Sequence, residues 1–201
     1  MDFYTNVTNF GNTVLVRGVK DGQRITQRHK FQPTLFVPVK KPTSYKTLDN
    51  KYLTPVVHQT IGEAKEFLES YKDQPGMVYG MTRWQYQYIS DRWKNDIKWN
   101  VDDILIVTID IEVASENGFP KVEEANEEMI AITVKNHQSK KIVVFGIGEF
   151  KNDRDDVTYI KCDHEDELLK RFLNFWEDTK PDVITGWNSK FYDLPYLIHR
   201  I

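Results

Sequence analysis

The sequence is poor in the residues that build disulfide or thiolate frameworks. Its 201 residues include 1 cysteine, Cys162, which excludes an internal disulfide and a thiolate zinc cluster and is typical of a reducing cytoplasm. The 5 histidines are scattered, without the spacing of a metal-binding motif.

Long apolar runs are also absent. No segment approaches the roughly 20 apolar residues that a membrane-spanning helix needs. The first segment, MDFYTNVTNF, has neither the basic start nor the apolar core of a signal peptide. With 40% hydrophobic and 28% charged residues, the composition predicts a globular protein with no membrane partner.

The formal net charge of −3 hides an asymmetry between the two halves of the chain. Residues 1–100 hold 15 Lys and Arg against 9 Asp and Glu, a balance of +6, and residues 101–201 hold 12 against 21, a balance of −9. In one interpretation, the basic half faces an anion and the acidic half holds cations. In the other, the two halves are simply solvated surfaces of opposite charge.

The first hundred residues predict a small mixed β/α domain. Short β-type runs, TVLVRGV and TLFVPV, are interrupted by prolines and by Asp21-Gly22, a pair that favours a hairpin turn. A helix is predicted in TIGEAKEFLESYKD, because Thr60 can cap it and Glu63 stands at the capping-box position. The alternating aromatic residues of RWQYQYIS fit either a strand or the start of a helix.

From residue 101 onward the pattern is that of an α/β domain. A strand over residues 104–113 precedes two further candidates, MIAITVK and KKIVVFGI, and together they predict an antiparallel meander. A helix is expected from about Glu165, with Asp163 as its cap, followed by a short fourth strand, DVITGW, and a last helix in FYDLPYLIHRI. This β-β-β-α-β-α order predicts a ribonuclease H-like domain over residues 101–201, in a chain of mixed α/β (α+β) class.

Two acids stand one residue apart in the most strand-like segment, ILIVTIDIEVAS. Because side chains at i and i+2 of a strand share a face, Asp110 and Glu112 should project together from one side. Two close carboxylates repel each other unless a cation lies between them, and an oxygen-rich site of this kind suits Mg²⁺ or Mn²⁺. Two such ions can catalyse phosphodiester hydrolysis. A lone D-x-E pair is, however, more commonly a solvated surface feature.

A second polar cluster follows the fourth strand, in VITGWNSKFYDLPY. In the predicted topology this strand adjoins the first one, which would bring Asn188 and Asp193 close to the acid pair. Asp193 is therefore a candidate third acid. It is also placed as an ordinary helix N-cap with Pro195 early in the helix, and the two roles are compatible.

These two segments carry a family resemblance. TIDIEVAS followed by GWNSKFYDLPY resembles the first and second exonuclease motifs of family B DNA polymerases, particularly the replicative polymerases of T-even-type phages. NGFP, LLKRFLNFW and DRWKNDIKWN are similar to the same family at the corresponding places. FQPTLFVPV resembles the family's amino-terminal domain, so the resemblance covers essentially the whole chain.

The resemblance implies a 3′→5′ proofreading exonuclease as part of a DNA-directed DNA polymerase. In it, Asp110, Glu112 and Asp193 would hold two Mg²⁺ or Mn²⁺ ions and act as the catalytic acids. For a phage enzyme the expected location is the cytoplasm of the host cell.

The resemblance also implies contacts to the DNA substrate. Asn188 matches the asparagine of the second motif, which positions the 3′ end of the primer. Phe119 matches a loop aromatic residue that stacks on unpaired bases, a contact that tolerates any sequence. The family usually has Phe directly before the motif's aspartate; here Tyr192 stands there and Phe191 precedes it, and both are expected to contact nucleic acid.

The third exonuclease motif, Y-x-x-x-D, does not follow Asp193 in this sequence. Two matches, Tyr45 to Asp49 and Tyr159 to Asp163, occur in the wrong order. The polymerase palm, fingers and thumb have no counterpart either. We therefore expect residues 101–201 to form a partial exonuclease domain, weak or inactive alone, whose partners are single-stranded DNA and the remaining polymerase portion or a partner subunit.

Two alternatives stay open on the sequence. The basic first half, with Trp84, Tyr86 and Tyr88 among arginines, is a candidate module for single-stranded DNA or RNA, although such aromatic residues are more often core. The other alternative is a free-standing 3′→5′ exonuclease, against which stands the short sequence after Asp193.

Overall fold

The computed structural model describes residues 3–115 and 118–201. The chain divides into two compact units, Met1–Asp103 and Ile104–Ile201, close to the predicted boundary between residues 100 and 101. The first two residues of the amino-terminal segment and Asn117 of the NGFP segment lie outside the described residues.

The first unit is built from two antiparallel sheets and two helices. One sheet has the order β1-β2-β3, with β1 at Phe3–Phe10, β2 at Thr13–Lys20 and β3 at Gln23–Lys30. The other has the order β4-β6-β5, with β4 at Thr34–Pro38, β5 at Tyr45–Lys46 and β6 at Tyr52–Val57. The helices are α1 at Ile61–Ser70 and α2 at Trp84–Arg92.

Local sequence signals in this unit are confirmed. Asp21 and Gly22 both have positive φ, 52° and 72°, and turn β2 back onto β3. The Thr60 hydroxyl accepts a hydrogen bond from the Glu63 N–H at 3.1 Å, so it caps α1 as predicted. The charged, polar strand β3 was missed, because QRITQRHK lacks the apolar alternation of a half-buried strand.

The aromatic segment forms helix α2 rather than a strand. Trp84 and Tyr88 are buried in the core of the first unit, whereas Tyr86 is 48% exposed. Two of the three rings that the nucleic-acid-module alternative needed are therefore core side chains and are not available to stack on bases.

The second unit is organised around one five-stranded sheet with the order β10-β9-β8-β7-β11. Its strands are β7 at Ile106–Val113, β8 at Met129–Asn136, β9 at Ile142–Ile147, β10 at Val157–Cys162 and β11 at Val183–Thr185. The predicted meander is confirmed in β7, β8 and β9, and so is the adjacency of the fourth predicted strand, β11, to β7, with which it pairs in parallel. Strand β10, parallel to β9, was missed, since VTYIKC gives no strong apolar run.

Two helices complete the second unit, α3 at Glu165–Thr179 and α4 at Asp193–Arg200. The expectation that Asp163 caps α3 is wrong: His164 is the N-cap, and its Nδ1 accepts from the Glu167 N–H. The backbone N–H of Asp163 instead donates to the Glu167 carboxylate at 2.9 Å, which ties the chain before the cap to the first helical turn.

The core of the second unit fixes which face of β7 is free. Val107, Ile109 and Ile111 are buried in one cluster with Leu168 and Phe172 of α3. Alternation along the strand leaves Asp110 and Glu112 on the opposite face. Within residues 3–115 and 118–201, no helix combines the length and the apolar character needed to cross a bilayer.

Candidate active site

The acid pair of β7, here called the strand side of the site, lies as predicted on one face. Asp110 and Glu112 are both exposed to solvent. Directly after Glu112 the pairing register with β8 shifts: Glu112 lies opposite Ala131 and Val113 opposite Met129. An irregularity of this kind bends a strand locally and is frequent beside active sites.

The segment 186–193, here called the helix side, runs from the end of β11 into α4. A Cβ built on Gly186 would lie 2.5 Å from the backbone oxygen of Ile109, so only glycine allows the chain to pass this close to β7. Asn188 has a positive φ of 59°, and its carbonyl accepts from the N–H groups of Phe191 and Tyr192, each at 2.9 Å. This tight turn starts α4 beside the acid pair.

Asp193 fills the edge of β7 that β11 leaves open. Strand β11 pairs with β7 only as far as Thr108. Beyond that point the Ile111 N–H donates to Asp193 Oδ1 at 3.3 Å, so a carboxylate replaces a strand carbonyl. The side-chain cap expected of Asp193 is wrong, because it is the first residue of α4 and Tyr192 is the N-cap, without a side-chain bond.

The second oxygen of the Asp193 carboxylate is buried without a hydrogen-bond partner among the described residues. Asp193 is 4% exposed, and this burial raises the pKa of its carboxyl group. The hydrogen bond from Ile111 acts to lower that pKa, while the negative charge of Asp110 raises it further. An anionic oxygen in this position therefore needs a cation or a proton.

A hard divalent cation fits this donor set. Asp110, Glu112 and Asp193 supply only carboxylate oxygens, the ligands that Mg²⁺ and Mn²⁺ prefer. The negative charge of Asp110 raises the pKa of Asp193, and that of Glu112 raises the pKa of the neighbouring Tyr192. The strand side and the helix side are therefore close enough to interact electrostatically. Among the described residues, no three acidic, histidine or cysteine side chains lie close enough to enclose a metal ion.

The residues predicted to contact nucleic acid lie around the acids. Phe119 is 82% exposed, and its ring centroid lies 5.0 Å from that of the half-buried Tyr192. Phe191 is 72% exposed, with the Lys190 ammonium 5.2 Å from its ring centroid. Asn188 is exposed beside them. The structure thus brings Phe119 to the second motif, although the two are far apart in the sequence.

Two features of the helix side were missed by sequence reasoning. Trp187 is 93% exposed next to Asn188, although a ring of this size usually gains from burial. Gly186 is required by its close approach to β7. The dipeptide Gly-Trp directly after an apolar strand was the available signal for both.

Comparisons with known proteins identify the family of the chain. The family model described as DNA polymerase family B, exonuclease domain, matches residues 81–201. The DNA-directed DNA polymerases of Escherichia phage RB69 and Enterobacteria phage T4 are 27% and 25% identical to this chain and match 100% of it. The chain spans about a quarter of the length of these relatives, since 25% of each is covered.

Two further matches extend the comparison. The DNA polymerase delta catalytic subunit of Dictyostelium discoideum is 34% identical over 98 residues, which cover 47% of this chain and 9% of the relative. The structure of the family B DNA polymerase from the archaeon Pyrobaculum calidifontis superposes with a TM-score of 0.64 at 19% identity, over 97% of this chain and 31% of that one. The family model covers more than half of the chain, and the predicted resemblance is confirmed: the chain belongs to DNA polymerase family B and carries its exonuclease-domain sequence.

Proposed function

We propose that this chain supplies the metal ligands and primer-contacting residues of a 3′→5′ proofreading exonuclease in a phage replicative DNA polymerase. The observation that carries the proposal is the buried, unpartnered oxygen of Asp193 beside the exposed Asp110 and Glu112. Charge compensation by divalent cations accounts for an arrangement that otherwise costs stability. The proposed location is the host-cell cytoplasm, because the relatives that match the whole chain are phage DNA polymerases.

The roles of the side chains follow from their positions. Asp110, Glu112 and Asp193 would hold Mg²⁺ or Mn²⁺, which when bound supply activation of water and stabilisation of the leaving oxygen in phosphodiester hydrolysis. Phe119, exposed on its loop, offers a face for stacking on an unpaired base. Asn188 offers an amide that can donate to the sugar or phosphate of the terminal nucleotide.

The partners proposed are single-stranded DNA and a further part of the polymerase. The sheet face that bears Glu112 continues into a cavity of about 520 Å³ lined by Val144, Gly146, Phe150 and Tyr159. Parallel strand pairs such as β9–β10 are usually covered on both faces. A charged replacement, Val144→Asp, should therefore weaken association with the polymerase portion, measured by co-purification; unchanged association would contradict this use of the face.

Residues 1–100 correspond, in this proposal, to the amino-terminal domain of the family B type. Support comes from the phage relatives, whose matches extend over 100% of the chain. The burial of Trp84 and Tyr88 removes two of the three aromatic rings on which a separate nucleic-acid-binding function was based.

Direct measurement of Mn²⁺ binding tests the metal site. Electron paramagnetic resonance should show Mn²⁺ binding in the unmodified chain and at least about ten-fold weaker binding in Asp110→Asn, Glu112→Gln and Asp193→Asn. Asp155→Asn is the matched control, because Asp155 is an exposed acid of the same unit outside the site. Equal Mn²⁺ affinity in all four variants would refute the assignment of the ligands.

Hydrolysis provides the second test. The chain alone should release few deoxynucleoside monophosphates from single-stranded DNA labelled at its 3′ end, in Mg²⁺ or Mn²⁺. Release by the chain combined with the remaining polymerase portion should be lost in Asp110→Ala. Release that continues undiminished in Asp110→Ala would show that another site performs the reaction.

A further inference from the structure

Side chains of α4 hold the loop that carries Phe119. The loop segment, defined here as residues 118–128, precedes β8 and has no strand or helix of its own. Five hydrogen bonds between four side chains and backbone groups attach it, and the start of β8, to the helical layer.

Tyr196 makes the most buried of these attachments. Its ring is fully buried, and its hydroxyl donates to the Glu127 carbonyl at 2.8 Å and accepts from the Glu127 N–H at 3.2 Å. One hydroxyl therefore satisfies both backbone groups of one loop residue, which a phenylalanine at this position could not do.

Arg200 makes the second attachment, at a strained position of the loop. Its Nη1 donates to the carbonyl of Ala125 at 2.9 Å, and Ala125 is a buried non-glycine residue with a φ of 40°. The other guanidinium N–H groups pair with both oxygens of Glu165 at 2.7 and 2.6 Å, and Glu165 accepts from the Met129 N–H at 2.8 Å. The two bonds to Glu165 thus orient the Arg200 guanidinium group so that its Nη1 can donate to the Ala125 carbonyl.

His199 completes the set by donating from Nδ1 to the Val122 carbonyl at 2.7 Å. Residues 196, 199 and 200 stand at helical spacings of three and four, so they share one face of α4. The attachments fall at residues 122, 125, 127 and 129, which are two or three residues apart along the chain. A loop fixed at such short intervals has few alternative conformations.

The same helix connects this attachment to the second motif. The Phe119 ring lies against Tyr192, and Tyr192 lies 5.6 Å from Tyr196 between ring centroids. Tyr192 directly precedes Asp193. One face of α4 therefore sets the position of the exposed Phe119 ring relative to the acid of the metal site.

We propose that Tyr196, His199 and Arg200 are positioning residues that order the loop segment and present Phe119 to the terminal bases of single-stranded DNA. This inference rests on the proposed function. Ordering the loop before DNA arrives removes the conformational entropy that stacking would otherwise cost.

Amide hydrogen exchange tests the ordering without DNA. In Tyr196→Phe and Arg200→Gln, amides of residues 118–128 should exchange at least about five-fold faster, as expected for the loss of one hydrogen bond. Matched controls are Tyr159→Phe, which loses a hydroxyl bond to Gly148, and Arg171→Gln, which loses a pair with Glu167.

A third variant guards against global unfolding. His199→Ala removes only an exposed side chain and should still speed exchange within residues 118–128. Unchanged loop exchange in His199→Ala and Tyr196→Phe, both folded, would overturn the inference.

DNA binding tests the presentation of Phe119. An oligonucleotide with 2-aminopurine at its 3′ end, bound in EDTA so that no hydrolysis occurs, should be quenched by stacking. Phe119→Leu should reduce both quenching and affinity, Tyr196→Phe should weaken binding by about five-fold, and Tyr159→Phe should change neither. The double variant Phe119→Leu/Tyr196→Phe should bind no more weakly than Phe119→Leu alone.

The two failures are distinguishable. An effect of Phe119→Leu without any effect of Tyr196→Phe would overturn the positioning role alone. No effect of Phe119→Leu would overturn the proposed stacking and the presentation of Phe119 with it, while the exchange measurement would still report the ordering of the loop.

Discussion

The strand side and the helix side of the site present the same functional group in opposite environments. Asp110 and Glu112 are exposed on the open face of the sheet. Asp193 is buried; one carboxylate oxygen accepts from the backbone, and the other has no hydrogen-bond partner within residues 3–115 and 118–201. The unfavourable free energy of burying a carboxylate therefore falls almost entirely on Asp193 of the helix side. In the proposed metal site, the unfavourable burial of charge is therefore confined to one of the three acids.

The largest effect is expected where the helix side approaches β7. Gly186→Ala would place a Cβ 2.5 Å from the Ile109 backbone oxygen and should lower the free energy of unfolding by about 3 kcal/mol. In Gly146→Ala the clash is with the Tyr159 ring, which can move, so a loss of about 1 kcal/mol is expected. Urea denaturation of both variants measures the difference. Equal losses of unfolding free energy would mean that the backbone at Ile109 shifts to relieve the clash.

Asp193 should respond differently to its two obvious replacements. Asp193→Ala leaves the buried Ile111 N–H without an acceptor and should cost about 2 kcal/mol in unfolding free energy. Asp193→Asn keeps an acceptor oxygen and removes a charge whose burial is unfavourable, so it should be more stable than the unmodified chain at pH 7. Thermal unfolding at pH 7 ranks the three proteins. A destabilised Asp193→Asn would contradict the assignment of the cost to the helix side.

Glu165, a half-buried carboxylate with a partner, provides the intermediate case. Burial acts to raise the pKa of Glu165, but hydrogen bonds from Arg200 and the Met129 N–H, with the guanidinium charge, lower it overall. Because the folded-state pKa is below the ordinary value, this stabilisation is present at neutral pH and is lost as pH falls through the folded-state pKa. Glu165→Gln should cost about 1.5 kcal/mol at pH 7.

The role of the Glu165 charge is tested by measuring how the stability loss in Glu165→Gln depends on pH. The stability gap between the unmodified chain and Glu165→Gln should shrink as pH falls from about 6 to about 3. Arg171→Gln is the control, since its ion pair with Glu167 is more exposed. A stability difference that does not change with pH would show that the charge of Glu165 contributes nothing to its interaction with Arg200.

The smallest effect is expected on the strand side. Asp110→Asn and Glu112→Gln should each change the free energy of unfolding by less than about 0.5 kcal/mol, because both side chains are exposed. Denaturation in EDTA keeps contaminating cations from masking the result. A loss of unfolding free energy above about 1 kcal/mol would mean that the exposed acids have a structural role. The proposed difference between the strand side and Asp193 would then be wrong.

Much of the second unit was predictable because its signals are local. Apolar runs marked β7, β8 and β9, and a helical apolar stripe marked α3. Alternation along β7 was enough to put Asp110 and Glu112 on one face. Strand β3 was missed because QRITQRHK has no apolar alternation of its own. Strand β10 was missed because VTYIKC is short, although its β-branched and aromatic residues are typical of strands.

Helix caps were less predictable than helices. Both Asp163 and His164 can accept a backbone N–H, and the sequence does not distinguish them; the structure has His164 at the cap. Asp193 was expected at a cap for the same reason. Its carboxylate instead turns to the open edge of β7, an acceptor position that exists only after the sheet has formed.

The sequence alone determined the order of β7, β8, β9, α3, β11 and α4 along the chain, the shared face of Asp110 and Glu112, and the family resemblance, because each depends on residue types at fixed spacing. The tertiary structure decided that Asp193 is the buried acid with a free oxygen, that Gly186 permits its approach, and that α4 holds the loop bearing Phe119. Those properties depend on burial and on contacts between residues about 70 to 80 positions apart, and no local pattern encodes them.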